Sequence, residues 1–285
     1  MVKLINNILL PLDFDHHPSE QVVEQVVQLA NRFQSDLHIL LIDDNSLVPQ
    51  VAEGKIFGSR KNGNKNGHTE AWLKENFTHL LEEHLSFLVS TSSGHAEQMI
   101  LEYAIKYKVD LVVIGKSNRT ILGGLFHTIS INRLARKTQS AILVVHEKPA
   151  LQEIKNIVLP VHEHLPVRKI MFASYLARAF SSKIHLIALT PRYPRNTVEE
   201  TLYLSKTYQL LRENTNLVIE CQTIPGENIA DATMEYARQV KADLIVVNPG
   251  KELLLSGFIN RLFARFITSE SKIPVMTIGP TNHME

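Results

Sequence analysis

The sequence repeats itself, and this repeat limits the fold more than any other feature of the chain. The segment Asn7–Asp13 (NILLPLD) returns as residues 156–162 (NIVLPVH). Residues 110–115 (DLVVIG) return as residues 243–248 (DLIVVN). Self-similarity on this scale indicates two copies of one structural unit. A chain of 285 residues, 44% of them hydrophobic, is large enough for two domains with separate cores.

Short apolar segments alternate with amphipathic segments in both copies. Apolar runs with few polar residues are typical of strands buried on both faces of a parallel sheet. The predicted strands cover residues 8–12, 37–42, 87–90, 111–115, 141–146, 157–161, 183–189, 217–223, 244–248 and 275–278. The predicted helices cover residues 18–33, 69–88, 97–107, 131–138, 167–181, 198–214, 228–240 and 256–269. With right-handed crossovers this order predicts two doubly wound α/β domains, at residues 1–148 and 153–282.

Composition excludes several classes of function. The formal net charge of +1 predicts no broad basic surface, so nucleic-acid binding is not expected as a main task. No apolar stretch approaches the ~18 residues of a spanning helix, and Pro11 and Asp13 interrupt the first apolar run. We therefore expect a cytoplasmic protein that does not act at a membrane. Cys221 is the only cysteine and lies in an alternating run, which favours a buried structural thiol over a reactive one.

One segment breaks the repeat. Between the second strand and the second helix, the first copy carries residues 43–68, rich in glycine, asparagine and lysine. The second copy crosses the same interval with residues 191–197. One interpretation is a surface loop. The other is a lid or a partner-binding loop, because long loops in compact domains are often functional.

The motifs of both copies resemble the universal stress protein family. They are the strand ending in Pro11-Leu12-Asp13, the turn Pro225-Gly226-Glu227 before a helix, and the apolar strand that ends at Gly115. The resemblance covers nearly the whole chain as two domains in tandem. It implies a five-stranded parallel sheet in the order 3-2-1-4-5 in each domain. It also implies that the domains pair about a pseudo-two-fold axis through their last strands, residues 142–145 and 275–278.

The resemblance further implies a site for ATP, ADP or AMP at the carboxyl ends of the strands. In the family, an Asp after strand one reaches the adenine, and a G-x2-G-x9-G-[ST] segment presents backbone N–H groups to the phosphates. The first copy keeps the Asp and the first glycine, but Asn118 replaces the second glycine and Ile129 stands at the Ser/Thr position. The candidate nucleotide site consists of Asp13, Gly115, Ser117, Thr128 and Ser130.

The second copy has lost this motif. His162 stands where the family has Asp, Asn248 replaces the first glycine, and Lys251 replaces the second. Arg261 stands at the third glycine. Because a Cβ blocks close approach of the backbone to a phosphate, we expect no family-type nucleotide binding here. The side chains of Lys251 and Arg261 offer another way to hold an anion.

Histidines follow the first strand of each copy. These candidate metal ligands are His16, His17, His162 and His164. Histidine and carboxylate side chains suit zinc or nickel, but neighbouring residues on one loop seldom complete a site. We therefore expect solvated histidines and keep a metal site as the alternative. His38 and His185 occupy matching positions in apolar strands, which favours partly buried, hydrogen-bonded side chains over catalytic ones.

The sequence contains neither a G-x-S-x-G nucleophile turn nor a G-x4-G-K-[ST] phosphate loop. We therefore predict no catalytic residue. The main hypothesis is a non-enzymatic stress-response protein that acts through protein partners or self-association, with the ATP motif degraded in both halves. One alternative is a regulator that binds an adenine nucleotide in the first domain, with at most weak ATPase activity. Another is a small-ligand or metal binder that uses the histidine-bearing loops.

Overall fold

The computed structural model describes residues 3–13, 19–43, 65–116, 129–147, 151, 153–161, 165–190, 197–226, 229–247 and 273–279. The elements of the first half are β1 (Asn7–Asp13), α1 (Glu20–Phe33), β2 (Asp36–Asp43), α2 (Lys65–Phe77), β3 (Phe87–Ser93), α3 (Ala96–Lys106), β4 (Leu111–Lys116), α4 (Ile131–Lys137) and β5 (Ala141–His146). The elements of the second half are β6 (Asn156–Pro160), α5 (Val167–Phe180), β7 (Lys183–Thr190), α6 (Thr197–Asn214), β8 (Ile219–Pro225), α7 (Ile229–Gln239), β9 (Leu244–Val247) and β10 (Val275–Ile278).

The described strands form one sheet of ten strands in the order β3-β2-β1-β4-β5-β10-β9-β6-β7-β8. Neighbouring strands within each half are parallel, whereas β5 and β10 pair antiparallel, with Val275 opposite Val144 and Ile278 opposite Ala141. Each half therefore has the predicted order 3-2-1-4-5, and the halves meet through their last strands. The predicted α/β fold and its pseudo-two-fold pairing are confirmed.

The repeat extends to individual hydrogen bonds. α1 and α5 both have 14 residues, and a left-handed residue follows each of them, Gln34 and Ser181, both with φ of 56°. The next residue in each half, Ser35 or Ser182, donates its hydroxyl to a main-chain carbonyl just before the first strand. Equivalent positions in the two halves can therefore be compared residue by residue.

Helices on both faces cover strands whose side chains are buried on both sides, as a parallel sheet requires. The five residues Ile8 to Leu12 and the six residues of β5 are all buried. Ser19 occupies the N-cap position of α1, although its side chain makes no capping hydrogen bond. Phe77 is buried and its ring packs against Trp72, with centroids 5.2 Å apart.

Four expectations need correction or lie beyond the described residues. The second helix begins at Lys65 and ends at Phe77, followed by a 3-10 turn at Thr78–Leu80, because the chain must turn into β3. The prediction of a buried thiol is wrong: Cys221 is exposed, because β8 is the last strand of the described sheet. The predicted helix at 256–269, and the 43–68 segment apart from Asp43 and the start of α2, lie outside the described residues.

Candidate functional site

The strand order reverses at β1, which lies between β2 and β4. The carboxyl ends of β1 and β4 therefore border the crevice in which doubly wound folds bind ligands. Asp13 is the last residue of β1, and Gly115 is the next-to-last residue of β4. The structure brings these two sequence-predicted residues to the ends of adjacent strands, and both are partly buried.

Gly115 also has a packing role. A Cβ placed on Gly115 would lie 2.5 Å from Cγ1 of Val22, a buried residue of α1. Real Cβ atoms essentially never make so short a contact, so with any side chain at this position the Val22 side chain or α1 itself must shift. The glycine is thus required for close packing of helix on sheet, whether or not a ligand approaches it.

Ser130 is the N-cap residue of α4, and its Oγ accepts a hydrogen bond from the N–H of Arg133 at 3.4 Å. The N–H of Ser130 donates to Oε2 of Glu97 at 2.8 Å. The other oxygen of this carboxylate, Oε1, lies 2.7 Å from Nε of Arg133. The protein's own carboxylate therefore occupies the N-terminal end of α4, where a helix favours negative charge.

Glu97 was missed by the sequence reasoning. It lies in the first turn of α3 and is only 4% exposed, although glutamate is rarely buried without a partner. One signal was available in the sequence, because Ala230 stands at the equivalent position of α7. Because only the first half has a carboxylate at this position, only the first half can form this contact between the carboxylate and the helix start.

The second half contains another buried charge that was missed. Lys169 of α5 stands where α1 has Val22, and it is 4% exposed. Its Nζ donates to the main-chain oxygen of Pro160, the last residue of β6, at 2.5 Å. The second half therefore has an ammonium group at the end of its first strand, where the first half has an apolar helix–strand contact.

The other predicted site residues lie outside the described residues. They are Ser117, Thr128, the candidate metal ligands His16, His17, His162 and His164, and the motif positions Asn118, Asn248, Lys251 and Arg261. Within the part of the chain that is described, no three His, Cys, Asp or Glu side chains converge as a metal site requires. Over the same ranges, no helix is both long and apolar enough to cross a bilayer.

The paired histidines are buried and hydrogen-bonded, as predicted. His38 is 4% exposed and its Nδ1 lies 3.1 Å from the hydroxyl of Tyr103. His185 is 3% exposed and its Nδ1 lies 3.2 Å from the hydroxyl of Tyr236. Burial lowers the pKa of both imidazoles, against the opposing charges of Asp36 near His38 and Glu220 near His185. Burial therefore favours the neutral form of both imidazoles, although Nδ1 of His185 also lies 3.2 Å from Oε2 of Glu220.

Comparison with known proteins agrees with this architecture. The model of the universal stress protein family matches residues 5–146. A universal stress protein from Archaeoglobus fulgidus DSM 4304 has the same fold, with a TM-score of 0.66, 11% identity and 98% of each chain covered. A candidate universal stress protein from Pseudomonas aeruginosa UCBPP-PA14 gives a TM-score of 0.59 and 18% identity, over 98% of this chain and 94% of that one.

A further universal stress protein from Archaeoglobus fulgidus, solved in complex with dAMP, has a TM-score of 0.36 and 20% identity, over 44% of this chain and 97% of that chain. Curated protein sequences gave no match. The sheet order, with a crevice at the ends of β1 and β4, defines a tandem, doubly wound α/β protein. With the match over the first half, the chain belongs to the universal stress protein family.

Proposed function

We propose that this protein is a non-enzymatic, cytoplasmic stress-response protein that acts through protein partners or self-association. The observation that carries the proposal is the position of Glu97. Its buried carboxylate accepts the N–H of Ser130 at the start of α4. In the family mode of binding, N–H groups at the start of this helix contact a phosphate. Glu97 therefore competes directly with a nucleotide for that position.

The electrostatic cost of adding a phosphate beside Glu97 supports this proposal. Two like charges about 4 Å apart repel by ~1 kcal/mol in water and by ~4 kcal/mol near a protein surface. Arg133 neutralises part of this repulsion, since its Nε lies 2.7 Å from Oε1 of Glu97. Arg133, in the first turn of α4, is thus already paired with a carboxylate of the protein, and a phosphate would have to displace that carboxylate.

The second half supports the same conclusion by a different route. Asn248, Lys251 and Arg261 replace the glycines of the family motif. The ammonium group of Lys169 lies at the carboxyl end of β6, donating to Pro160. Backbone recognition of a phosphate needs glycines at these positions, and the second half does not have them.

Equilibrium dialysis of the full-length chain against ATP, ADP and AMP tests the proposal. We expect no binding tighter than about 1 mM. A micromolar dissociation constant for any of the three nucleotides would overturn the proposal. Release of phosphate from ATP above the buffer control would contradict its non-enzymatic part.

One observation favours a second candidate, a regulator that binds an adenine nucleotide in its first half. Asp13, at the adenine position of the family site, and Gly115, the first glycine of its phosphate segment, are retained together at the ends of β1 and β4. If this candidate is correct, the protein will retain nucleotide during purification and show a high ratio of absorbance at 260 nm to 280 nm. Asp13→Ala should then abolish the retention, whereas Asp36→Ala, far from the crevice at the start of β2, should not.

A further inference from the structure

An exposed apolar patch lies at the seam between the two halves. Ile105 is 61% exposed, Val167 is 42% exposed and Met171 is 49% exposed. Isolated exposed apolar side chains are ordinary, but these three line a single cavity together with the partly buried Leu4. We call the surface formed by Leu4, Ile105, Val167 and Met171 the seam groove.

The other half of the chain carries charge at the equivalent helix positions. Because α1 and α5 have the same length and end in the same conformation, Val167 corresponds to Glu20 and Met171 corresponds to Glu24. Both glutamates are exposed. The helix therefore packs against this fold equally well with carboxylates at these two positions.

The other two residues of the seam groove also correspond to charged residues in the other half. Ile105 of α3 corresponds to Arg238 of α7, and Leu4 corresponds to Glu153, counted from the first strand of each half. Arg238 and Glu153 are both exposed. All four apolar residues of the seam groove thus replace exposed charged residues of the equivalent surface. The fold does not require apolar side chains here. Contact with a bound apolar group therefore explains these residues better than packing within the protein does.

The shape of the seam groove suits an elongated ligand. The cavity at the seam has a volume of about 800 Å³. A second hollow of about 420 Å³ continues between α5 and α6, and it shares Leu4, Val167 and Met171 with the first. The two follow α5 from Val167 to Arg178, a distance of ~16 Å. Volumes in this range are typical of small-molecule sites.

Positive charge is concentrated at the seam end of the groove. Lys108, Lys137 and Arg168 line the cavity there with a single carboxylate, Asp110. That carboxylate is already engaged, since its Oδ2 accepts two main-chain N–H groups at 2.7 and 3.1 Å. The guanidinium of Arg168 donates to two main-chain carbonyls and interacts electrostatically with Asp110, so three cations share one carboxylate at this end of the groove. An anionic group is therefore the favoured occupant of this end.

We infer that the seam groove binds the anion of a long-chain carboxylic acid. The carboxylate lies among Lys108, Lys137 and Arg168. The alkyl chain lies along Val167 and Met171 and continues into the hollow between α5 and α6. A distance of ~16 Å accommodates on the order of a dozen methylenes in extended conformation. Burial of these methylenes against apolar side chains supplies most of the affinity, and the cations select the head group.

Calorimetric titration of the full-length protein with dodecanoate, below its micellar concentration, tests the inference. We expect one site per chain with a micromolar dissociation constant. Met171→Glu and Val167→Glu install the residues that the first half has at the equivalent positions, so both variants should fold. Each should weaken dodecanoate binding about tenfold or more, because each removes apolar contact and adds a like charge. Leu202→Glu, an exposed apolar residue outside the groove, is the matched control and should bind as the parent protein does.

The head-group assignment has its own test. The double variant Lys108→Gln, Lys137→Gln should bind dodecanoate several-fold more weakly while its affinity for dodecanol stays unchanged. Circular dichroism and thermal unfolding show whether each variant is folded.

Three outcomes would overturn the inference. The first is a parent protein that does not bind dodecanoate. The second is a folded Met171→Glu protein with parental affinity. The third is a concentration-dependent dimer in sedimentation that Met171→Glu abolishes, without dodecanoate binding, which would assign the groove to a second copy of the chain. Because nucleotides are absent from the titration, its result does not depend on the proposed function.

Discussion

At the scale of single residues, the two halves differ where one side chain replaces another against the same scaffold. Val22 packs on Gly115 in the first half, and Lys169 stands at the Val22 position in the second. Glu97 bonds to the start of α4, and Ala230 stands at its equivalent position. Each difference changes the charge near a crevice without changing the strand order. The chemistry of the crevices is therefore determined by a few buried residues.

The contact between Gly115 and α1 gives the first prediction. Gly115→Ala should lower the free energy of unfolding by about 1–3 kcal/mol, because its Cβ would lie 2.5 Å from Cγ1 of Val22. The measurement is urea denaturation. In the double variant with Val22→Ala, the added methyl has room, so part of the loss should be recovered. If Gly115→Ala lowers the free energy of unfolding as much in the Val22→Ala background as in the parent protein, the contact with Val22 is not the cause.

The buried histidines give the second prediction, on pH dependence. Burial lowers the pKa of His38 and His185 below the ordinary value of 6.5. The unfolded chain therefore binds more protons than the folded chain just below pH 6.5, and stability must fall as the pH drops through that range. Urea midpoints measured from pH 7.5 downward should decrease. The double variant His38→Gln, His185→Gln should show a flatter profile, and an unchanged slope would assign the effect to other groups.

At the scale of secondary structure elements, helices are positioned by specific polar contacts as well as by apolar faces. α3 and α4 are linked by Glu97, which accepts from the N–H of Ser130 and pairs with Arg133. α1 and α5 are each followed by a left-handed residue and a serine that bonds to the chain before the first strand. The ends of the helices are thus tied to neighbouring elements at both ends of the strands.

The Glu97 bridge gives the third prediction. Glu97→Gln keeps an oxygen that can accept the N–H of Ser130 but loses the ionic contact with Arg133, so the free energy of unfolding should fall by about 1 kcal/mol. Glu97→Ala removes both the acceptor of the Ser130 N–H and the ionic contact with Arg133, and should cost about 1–3 kcal/mol. Thermal or urea unfolding measures both. The reverse order of the two losses would contradict the role assigned to the carboxylate.

The elements themselves were largely predictable from the sequence, because buried strands such as Ile8 to Leu12 are continuous apolar runs and each recurs in the second copy. Cys221 was assigned to the core because its alternating neighbours look half-buried, and only the strand order shows that β8 is at the edge. Glu97 and Lys169 were missed for a related reason. A sequence pattern indicates the face of a helix, but the partner of a buried charge depends on which elements meet.

At the scale of the whole molecule, β5 and β10 join the halves into one continuous sheet. The residues of both strands are buried, so the joint forms part of the core. Antiparallel pairing of equivalent strands relates the halves by a pseudo-two-fold axis, as an isologous contact does in a dimer of identical subunits. The two halves should therefore depend on each other for stability.

This dependence gives the fourth prediction. Trp72 is the only tryptophan and lies in α2 of the first half, whereas circular dichroism reports on helices of both halves. Urea unfolding followed by the two methods should give coincident transitions, as expected when a single core unfolds cooperatively. A tryptophan transition displaced from the circular dichroism transition would show that the halves unfold separately.

The antiparallel joint between β5 and β10 also affects how amino-acid substitutions can accumulate in this chain during evolution. In a dimer of identical subunits, every substitution appears twice, once on each side of the symmetry axis. Replacing an exposed charged residue with an apolar one would then create two exposed apolar surfaces in each dimer. In this chain the two sides are encoded separately, so Glu24 keeps one side soluble while Met171 alters the other. Joining the halves in one chain therefore lets one surface become apolar while the equivalent surface stays charged.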